Sequence, residues 1–524
     1  MAAAGIPSGQ DPSARLVLAG NVVVSSEPWV WSFNYNAHSV LCAQCFTEIK
    51  NLRTCSGCKL YRYCNTECQS VNWKKEHKLE CALLKTIHEQ LQPFIAKGVF
   101  NHDCSLGGCY MFGCCAGEIL VAKVLNKIMQ GIKEEVSGYT GNVTDQQVLD
   151  ALSLQPTYPR QANIFERLNH QVCAAIWPSA VISRIPQFEV LVQKLMYNAL
   201  PILNQRGKFK LQMMGIFPQA LQRAMTPVCL DINVTMDLQG RTLVVRAVKD
   251  IHYTGLKDLR QNEEVHKSFY VALKERQGDF ERFYGFSCAC GKCNDKYEAE
   301  INPLRCCTVG CPARIPSDVR ALQPCPECGA DNVPQLLKLK AVMAAHDQMG
   351  DSDPDQCFQE MAQSLAWVKE LDTVVHPDAH LRFTCGYDIA DFMQATMRYE
   401  EAWNLVGGMI DCVRAMYPLY HLGRARYLVK SAAIPYLWKR VVEKKDKQRL
   451  APVLREALPK ALGWLREAED IYRKVSGEDS VWAQAVVDFI RIHAPAEVST
   501  TENTVKPARK ANWNWGSWEA VFRW

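Results

Sequence analysis

The sequence predicts an α+β protein of several folded units, and three observations carry that reading. Cysteines fall in Cys-x-x-Cys pairs and related spacings, alternating apolar residues flank a Gln239-Gly240 turn, and beyond residue 335 apolar residues recur at three- and four-residue spacing. The first pattern predicts metal-stapled modules, the second a β-hairpin and the third packed helices. With 524 residues, 48% apolar and 22% charged, the chain is globular, neither disordered nor collagen-like. At about 100–200 residues per domain, that length corresponds to three or four folded units. A formal charge of +5 spread along the chain makes no basic stripe, so nucleic acid is not the expected direct partner. No apolar run reaches the roughly 18–20 residues that cross a bilayer, so no membrane partner is expected either. The opening residues carry no basic leader, and Gly20 and Asn21 break the apolar run from Leu16 to Val24. A reducing compartment is therefore expected, cytoplasm or nucleus or both, where clustered cysteines hold metal more often than they form disulfides.

The elements follow in order. Residues 42–81 carry eight potential ligands, Cys42, Cys45, Cys55, Cys58, Cys64, Cys68, His77 and Cys81. Zn²⁺ takes four such ligands tetrahedrally, and a two-residue gap lets a tight turn bring both sulfurs of a pair to one ion, so two ions fit. The spacing leaves interleaved and sequential pairing both open. So short a segment has few core residues, and ion binding supplies most of its folding free energy. Every ligand is structural, which leaves no open coordination position for catalysis. Seven Lys and Arg against four Glu give the segment a net +3, a weak bias toward acidic partners.

Farther along, Ile232–Val248 alternates about Gln239-Gly240 as a hairpin, and Cys288, Cys290 and Cys293 supply three sulfurs without a fourth nearby. Cys307, Cys311, Cys325 and Cys328 have ribbon-like spacing, with Cys306 an alternative to Cys307 and Pro312, Pro324 and Gly329 supplying turns. Cys104, Cys109, Cys114 and Cys115 lie near His102 and read equally as a metal set or as small buried residues, whereas Cys173, Cys357, Cys385 and Cys412 read as core. The segment Arg455–Val475 has the apolar spacing of a helix packed in an antiparallel array. The tail 501–524 concentrates four tryptophans, a peptide able to dock in a groove or to fold back on the helices.

The ligand set of 42–81, with Tyr61-Arg62-Tyr63-Cys64 and Trp73-Lys74-x-x-His77, resembles the MYND zinc finger. That resemblance implies interleaved coordination, Cys42, Cys45, Cys64 and Cys68 on one ion and Cys55, Cys58, His77 and Cys81 on the other. It implies proline-rich peptides as partners. Together with Tyr284–Cys293, the chain resembles the SET and MYND domain (SMYD) family of protein lysine methyltransferases. The implied fold is a split SET β-fold interrupted by the finger, a post-SET zinc site completed by Cys229, and a C-terminal all-α domain like tetratricopeptide repeats. The corresponding boundaries are 1–41 for the first part of SET, 42–81 for the finger, 82–205 for a helical linker and SET insertion, and 206–284 for the SET core. The post-SET segment and extra ribbon take 285–330, the helical domain 335–500 and the tail 501–524. Zinc is expected at three sites, with a fourth in the ribbon.

Lysine methylation needs a sulfonium cofactor, an aromatic amine channel that disfavours the charged ammonium, and sulfur, methyl and nitrogen held in line. By resemblance, Tyr284 lines the lysine channel, and Phe286 and Asn198 contact S-adenosylmethionine. The family's Asn-His-Ser-Cys run is replaced here by Thr226-Pro227-Val228-Cys229, which keeps the zinc ligand and loses the cofactor contacts. The family's Gly-x-Gly loop is matched only by Ser8-Gly-Gln-Asp-Pro-Ser, and its penultimate-strand Tyr aligns with Phe269, leaving the catalytic candidate Tyr270 one register place away. Cofactor contacts have thus gone from three segments while the zinc ligands remain. The expected protein is a zinc-scaffolded adaptor with weak or absent methyltransferase activity. The alternative is an active enzyme acting on lysine in a histone or another protein.

Overall fold

A computed structural model describes residues 15–49, 51–96, 116–131, 195, 199–203, 211–218, 226–228, 231–255, 258–261, 277, 287–288, 290, 292–293, 295–317, 322–347, 366–377, 379–445, 452–478 and 481–494. The first half is built on short antiparallel strands. β1 (Arg15–Val17) pairs with β11 (Ile251–Tyr253), and β2 (Val22–Ser26) pairs with β10 (Thr242–Ala247), which in turn pairs with β9 (Val234–Gln239). A second three-stranded sheet sets β3 (Val30–Phe33) and β6 (Leu200–Leu203) on either side of β7 (Leu211–Ile216). The single parallel pair described joins β8 (Thr226–Pro227) to β12 (Arg260–Gln261).

The expected hairpin is β9–β10, with Thr242 opposite Gln239 across a two-residue turn. Gly240 at φ +58° supplies the left-handed residue that such a turn requires. This hairpin reaches in two directions. Its tip lies against the Cys45 carbonyl of the 42–81 module, and near its strand ends Gln239 Nε2 and Arg246 Nε donate to the Val475 carbonyl at 3.1 and 3.0 Å.

Inserted between β3 and β6, the 42–81 module consists of the two-residue strands β4 (Arg53–Thr54) and β5 (Arg62–Tyr63), then α1 (Thr66–Asn72), a π-helical turn Trp73–His77 and α2 (Lys78–Ala96). Asn65 caps α1, its side chain accepting from the Cys68 amide at 2.7 Å. α3 (Ala116–Gly131) packs against β3 and β7. Module, sheet and α3 share one apolar core containing Trp31, Phe33, Phe46, Tyr61, Leu84, Ile119, Met213 and Leu243.

A second core runs from the ribbon through the C-terminal helices. It begins with α4 (Asp295–Ile301), β13 (Leu304–Arg305) and β14 (Arg314–Ile315), then α5 (Val333–Asp347), α6 (His380–Ala395) and α7 (Tyr399–Gly407). It ends in α8 (Ile410–Met416), α9 (Leu422–Lys445), α10 (Pro452–Ser476) and α11 (Val481–His493). On α10, Leu454, Ala457, Ala461, Leu465, Ala468, Ile471 and Val475 are buried at the three- and four-residue spacing read from the sequence. Cys412 is buried in the same core, as expected. Among the described residues no helix is long and apolar enough to cross a membrane.

Candidate metal centres

Two four-ligand clusters form in the 42–81 module, and they interleave. Cys42, Cys45, Cys64 and Cys68 make one, and Cys55, Cys58, His77 and Cys81 the other, each with its donor atoms within 4.8 Å of one another. Local backbone chemistry builds them. Each Cys-x-x-Cys pair ends in a residue with positive φ, Phe46 at 57° and Lys59 at 60°. The amides of these residues donate back to the carbonyl of the first cysteine, Phe46 N to Cys42 O at 2.9 Å and Lys59 N to Cys55 O at 3.1 Å. The second pair of each cluster comes from helices: Cys64 and Cys68 flank the capped start of α1, and His77 and Cys81 are one turn apart at the start of α2.

The donor chemistry fits zinc. At about 2.3 Å from a tetrahedral ion, sulfurs stand about 3.8 Å apart. The observed separations are 3.3 Å for Cys64–Cys68, 3.9 Å for Cys45–Cys64 and 4.0 Å for Cys55–Cys81. His77 faces the second cluster through Nε2, 3.3 Å from Cys55 Sγ and 3.7 Å from Cys58 Sγ. Burial, helped by the Lys123 charge, brings His77 down to about 4, so its imidazole is neutral and able to ligate. The thiols are shifted in opposite directions: burial pushes Cys58 up to about 12, while a hydrogen bond from Cys42 brings Cys45 down to about 4. A dication among them resolves that crowding by favouring the thiolates.

Directly behind the second cluster lies a buried ionic group that the sequence did not reveal. Lys123 of α3 is completely buried, donating from Nζ to Trp31 O and Tyr61 Oη at 2.8 Å each and standing 3.1 Å from Glu80 Oε2. Its ammonium also lies 4.3 Å from the centre of the Trp31 ring. Glu76 Oε1 accepts from Trp31 Nε1 at 3.1 Å and Asn72 Nδ2 at 2.8 Å, and lies 2.8 Å from Arg241 Nη2 at the hairpin tip. Burial alone would raise Glu76, but Arg241 and Lys123 outweigh it and hold the carboxyl at about 2. For Glu80 burial wins against Lys123 and pushes the carboxyl up. Glu76 and Glu80 belong to the same helical stretch as His77 and Cys81, so one segment both ligates metal and fastens the module to the sheet. His38 completes the packing, edge-on to Phe33 and stacked on Tyr61, with burial lowering it to about 3.

Two further sulfur groups lie downstream. Cys288, Cys290 and Cys293 come together with their sulfurs within 4.8 Å, and their expected fourth partner, Cys229, lies outside the described residues. In the ribbon the structure corrects one expected ligand. Cys306, not Cys307, joins Cys311, Cys325 and Cys328, while Cys307 is exposed and its Sγ is 3.3 Å from Asp331 O. The Thr308 amide points at Cys306 Sγ while the Cys307 amide donates to Asn332 Oδ1 at 2.9 Å, so the bend that follows β13 turns Cys306 into the cluster and Cys307 out of it. Tyr270, Tyr284, Phe286 and Asn198 lie outside the described residues, as do Cys104, Cys109, Cys114, Cys115 and the tail 501–524.

Comparison with known proteins agrees with the geometry. The MYND finger family matches residues 42–81, the span that holds both interleaved clusters. A SET and MYND domain-containing protein of Dictyostelium discoideum is 42% identical over 81 residues, 14% of this chain and 14% of the relative. N-lysine methyltransferase SMYD2-B of Danio rerio is 34% identical over 80 residues, 15% of this chain and 18% of that one. Similarity reaches well past the finger in histone-lysine N-methyltransferase SMYD3 of Homo sapiens, 22% identical over 283 residues, 52% of this chain and 56% of the relative. The chain thus spans between about a seventh and just over half the length of these relatives. Residues 42–81 thus match a MYND finger and hold two interleaved four-ligand clusters, and the chain's similarity to SET and MYND domain-containing proteins continues beyond that finger.

Proposed function

We propose that this protein is a zinc-scaffolded adaptor on a SET-like body, recruiting other proteins through its MYND finger, with weak or absent lysine methyltransferase activity. The observation that carries this reading is the contrast between a fully assembled finger and the segment Thr226-Pro227-Val228-Cys229, where the family holds its cofactor with Asn and His. Pro227 occupies the parallel bridge to Gln261 and brings no amide hydrogen, and Val228 is buried in the apolar core. Two or three lost polar contacts at about 1–3 kcal/mol each weaken cofactor affinity by several orders of magnitude. In this reading the β-strands on both sides of the finger are the two parts of a split SET fold, Cys229 completes the site of Cys288, Cys290 and Cys293, and the C-terminal helices are a repeat-like domain.

Proline-rich peptides are the proposed partners of the finger, whose net +3 also favours acidic flanking residues. Cytoplasm and nucleus are the proposed locations. The closed tetrahedral sets give zinc no substrate position, so the finger contributes binding and not chemistry.

The second reading rests on the similarity to histone-lysine N-methyltransferase SMYD3: a working enzyme using S-adenosylmethionine, with Tyr284 and Tyr270 at the lysine channel and Asn198 and Phe286 at the cofactor. Incubating the full chain with radiolabelled S-adenosylmethionine, histones and a lysine-peptide array separates the two. The adaptor reading expects at most trace label above a heat-treated control, and label rising toward one methyl group per lysine peptide over repeated turnovers refutes it. In parallel, immobilised proline-rich peptides should retain the protein and lose it on Cys55→Ser, whereas equal retention of the variant would remove the finger from recruitment.

A further inference from the structure

We propose that Cys306, Cys311, Cys325 and Cys328 form a further structural Zn²⁺ site, outside the matched finger, and that its ion is the clasp joining residues 302–332 to the C-terminal helices. The family match ends at residue 81, and none of the finger's ligands takes part.

Three observations converge on a metal. The four sulfurs lie within 4.8 Å of one another, with Cys306–Cys328 at 3.5 Å and Cys311–Cys325 at 3.6 Å, near the edge length of about 3.8 Å of a tetrahedral thiolate–zinc centre. The Cys325-x-x-Cys328 pair repeats the turn of both finger pairs: Gly329 has φ +71° and its amide donates to Cys325 O at 2.8 Å, as Phe46 and Lys59 do to Cys42 and Cys55. Backbone amides also point at the ligand sulfurs, Thr308 N at Cys306 Sγ at 3.5 Å, as Tyr61 N points at Cys58 Sγ at 3.5 Å. Cys306 and Cys325 are buried although the ribbon around them has only the minimal two-residue strands β13 and β14. So small a module lacks the apolar area to fold alone, and a four-thiolate ion supplies what is missing.

The clasp follows from what β13 touches. Leu304 bridges Val375, Arg305 N donates to Val374 O at 2.8 Å, and His376 N donates to Pro303 O at 2.9 Å. Asn302 Oδ1 accepts from Leu381 N, at the start of α6, at 2.8 Å. On the other side α5 starts at Val333, five residues after the ligand Cys328, and its Gln335 donates to both Arg305 O and Thr373 O at 3.3 Å. The ion therefore fixes the strand onto which the 373–381 turn and the first turn of α5 are hydrogen-bonded.

The experiment is zinc counting by native mass spectrometry on the zinc-loaded full chain, paired with hydrogen–deuterium exchange. Cys325→Ser and Cys306→Ser should each carry one ion fewer than the parent, and Cys307→Ser the parent number. In Cys325→Ser, amides at 304–306 and 373–381 should exchange faster while 42–81 is unchanged. The proposal is overturned if Cys325→Ser keeps the parent stoichiometry, or if Cys307→Ser loses an ion and Cys306→Ser does not. Should these variants not accumulate, alkylation of the parent decides: Cys307 should react at once, and Cys306, Cys311, Cys325 and Cys328 only after a chelator is added. Equal labelling of Cys306 and Cys307 before chelation would also refute it.

Discussion

The finger and the ribbon close their Cys-x-x-Cys turns in the same way, yet they are fastened to the protein by different means. The finger is held through buried side chains, with Lys123, Glu80, Glu76 and Arg241 packed about Trp31 and Tyr61 and drawn from three separate stretches of chain. The ribbon is held mainly through main-chain groups, with Arg305 N, Leu304 and the carbonyls of Pro303 and Arg305 meeting the 373–376 turn and Gln335. Attachment by buried charges is specific but brittle, because removing one partner strands the other in the core. Attachment by backbone tolerates side-chain change and depends instead on the strand staying in place, which is the ion's task.

The largest expected effect breaks the comparison outright. Cys58→Ser removes a ligand from a module whose zinc contributes on the order of 10 kcal/mol to folding. Exchange should become fast across 42–81, and, because Tyr61–Tyr63 connect the two clusters, both finger ions should leave. Protection at 304–306 and 373–381 should stay, and its loss would show that the two modules are not independent. Next in size is Lys123→Met, which leaves Glu80 buried without its cation and is expected to cost about 3–5 kcal/mol in chemical denaturation. Adding Glu80→Gln should recover most of that loss, whereas simple additivity would show that the pair is not coupled.

Acid sharpens the contrast from the helical side. Burial, with help from Arg426, lowers His421 from 6.5 to about 3. The unfolded chain takes up this proton first, so the contribution is complete above about pH 6.5 and fades as pH falls toward 3. Glu467 follows the same sign at lower pH. Burial would raise it, but hydrogen bonds from Arg414 and Arg424 outweigh that and hold it below 4.5, so its contribution fades only below that pH. Thermal melts from pH 7 to 5 should therefore fall less steeply for His421→Asn than for the parent, and parallel slopes would contradict the assignment. The smallest effect compares one buried bond inside the finger with one attachment bond of the ribbon. Tyr63→Phe deletes the buried 2.8 Å hydrogen bond to Asn72 Oδ1 and should cost about 1–2 kcal/mol, while Gln335→Ala, at an exposed position, should cost under about 1.

Much of this was legible in the sequence, and the remainder had physical reasons to be hidden. Ligand spacing announced the finger, Gln239-Gly240 announced the hairpin, and the apolar period of Arg455–Val475 announced α10, because each is a local pattern. Interleaving could not be read from spacing, since either pairing satisfies it, and Cys306 and Cys307 are neighbours in the bend after β13, told apart only by which sulfur that bend turns inward. The ionic group behind the finger is non-local: Glu76, Glu80 and Arg241 look like ordinary surface charges until folding brings 76, 80, 123 and 241 together. Lys123 alone carried a hint, a single cation within the apolar run Ile119–Leu125.

The central claim, a preserved metal scaffold around a lost donor pocket, is tested most directly by titrating S-adenosylmethionine into the zinc-loaded full chain in a calorimeter. Micromolar protein should give no saturable heat, with zinc content unchanged throughout. A saturable isotherm at one site per chain would contradict the claim and restore the enzyme reading.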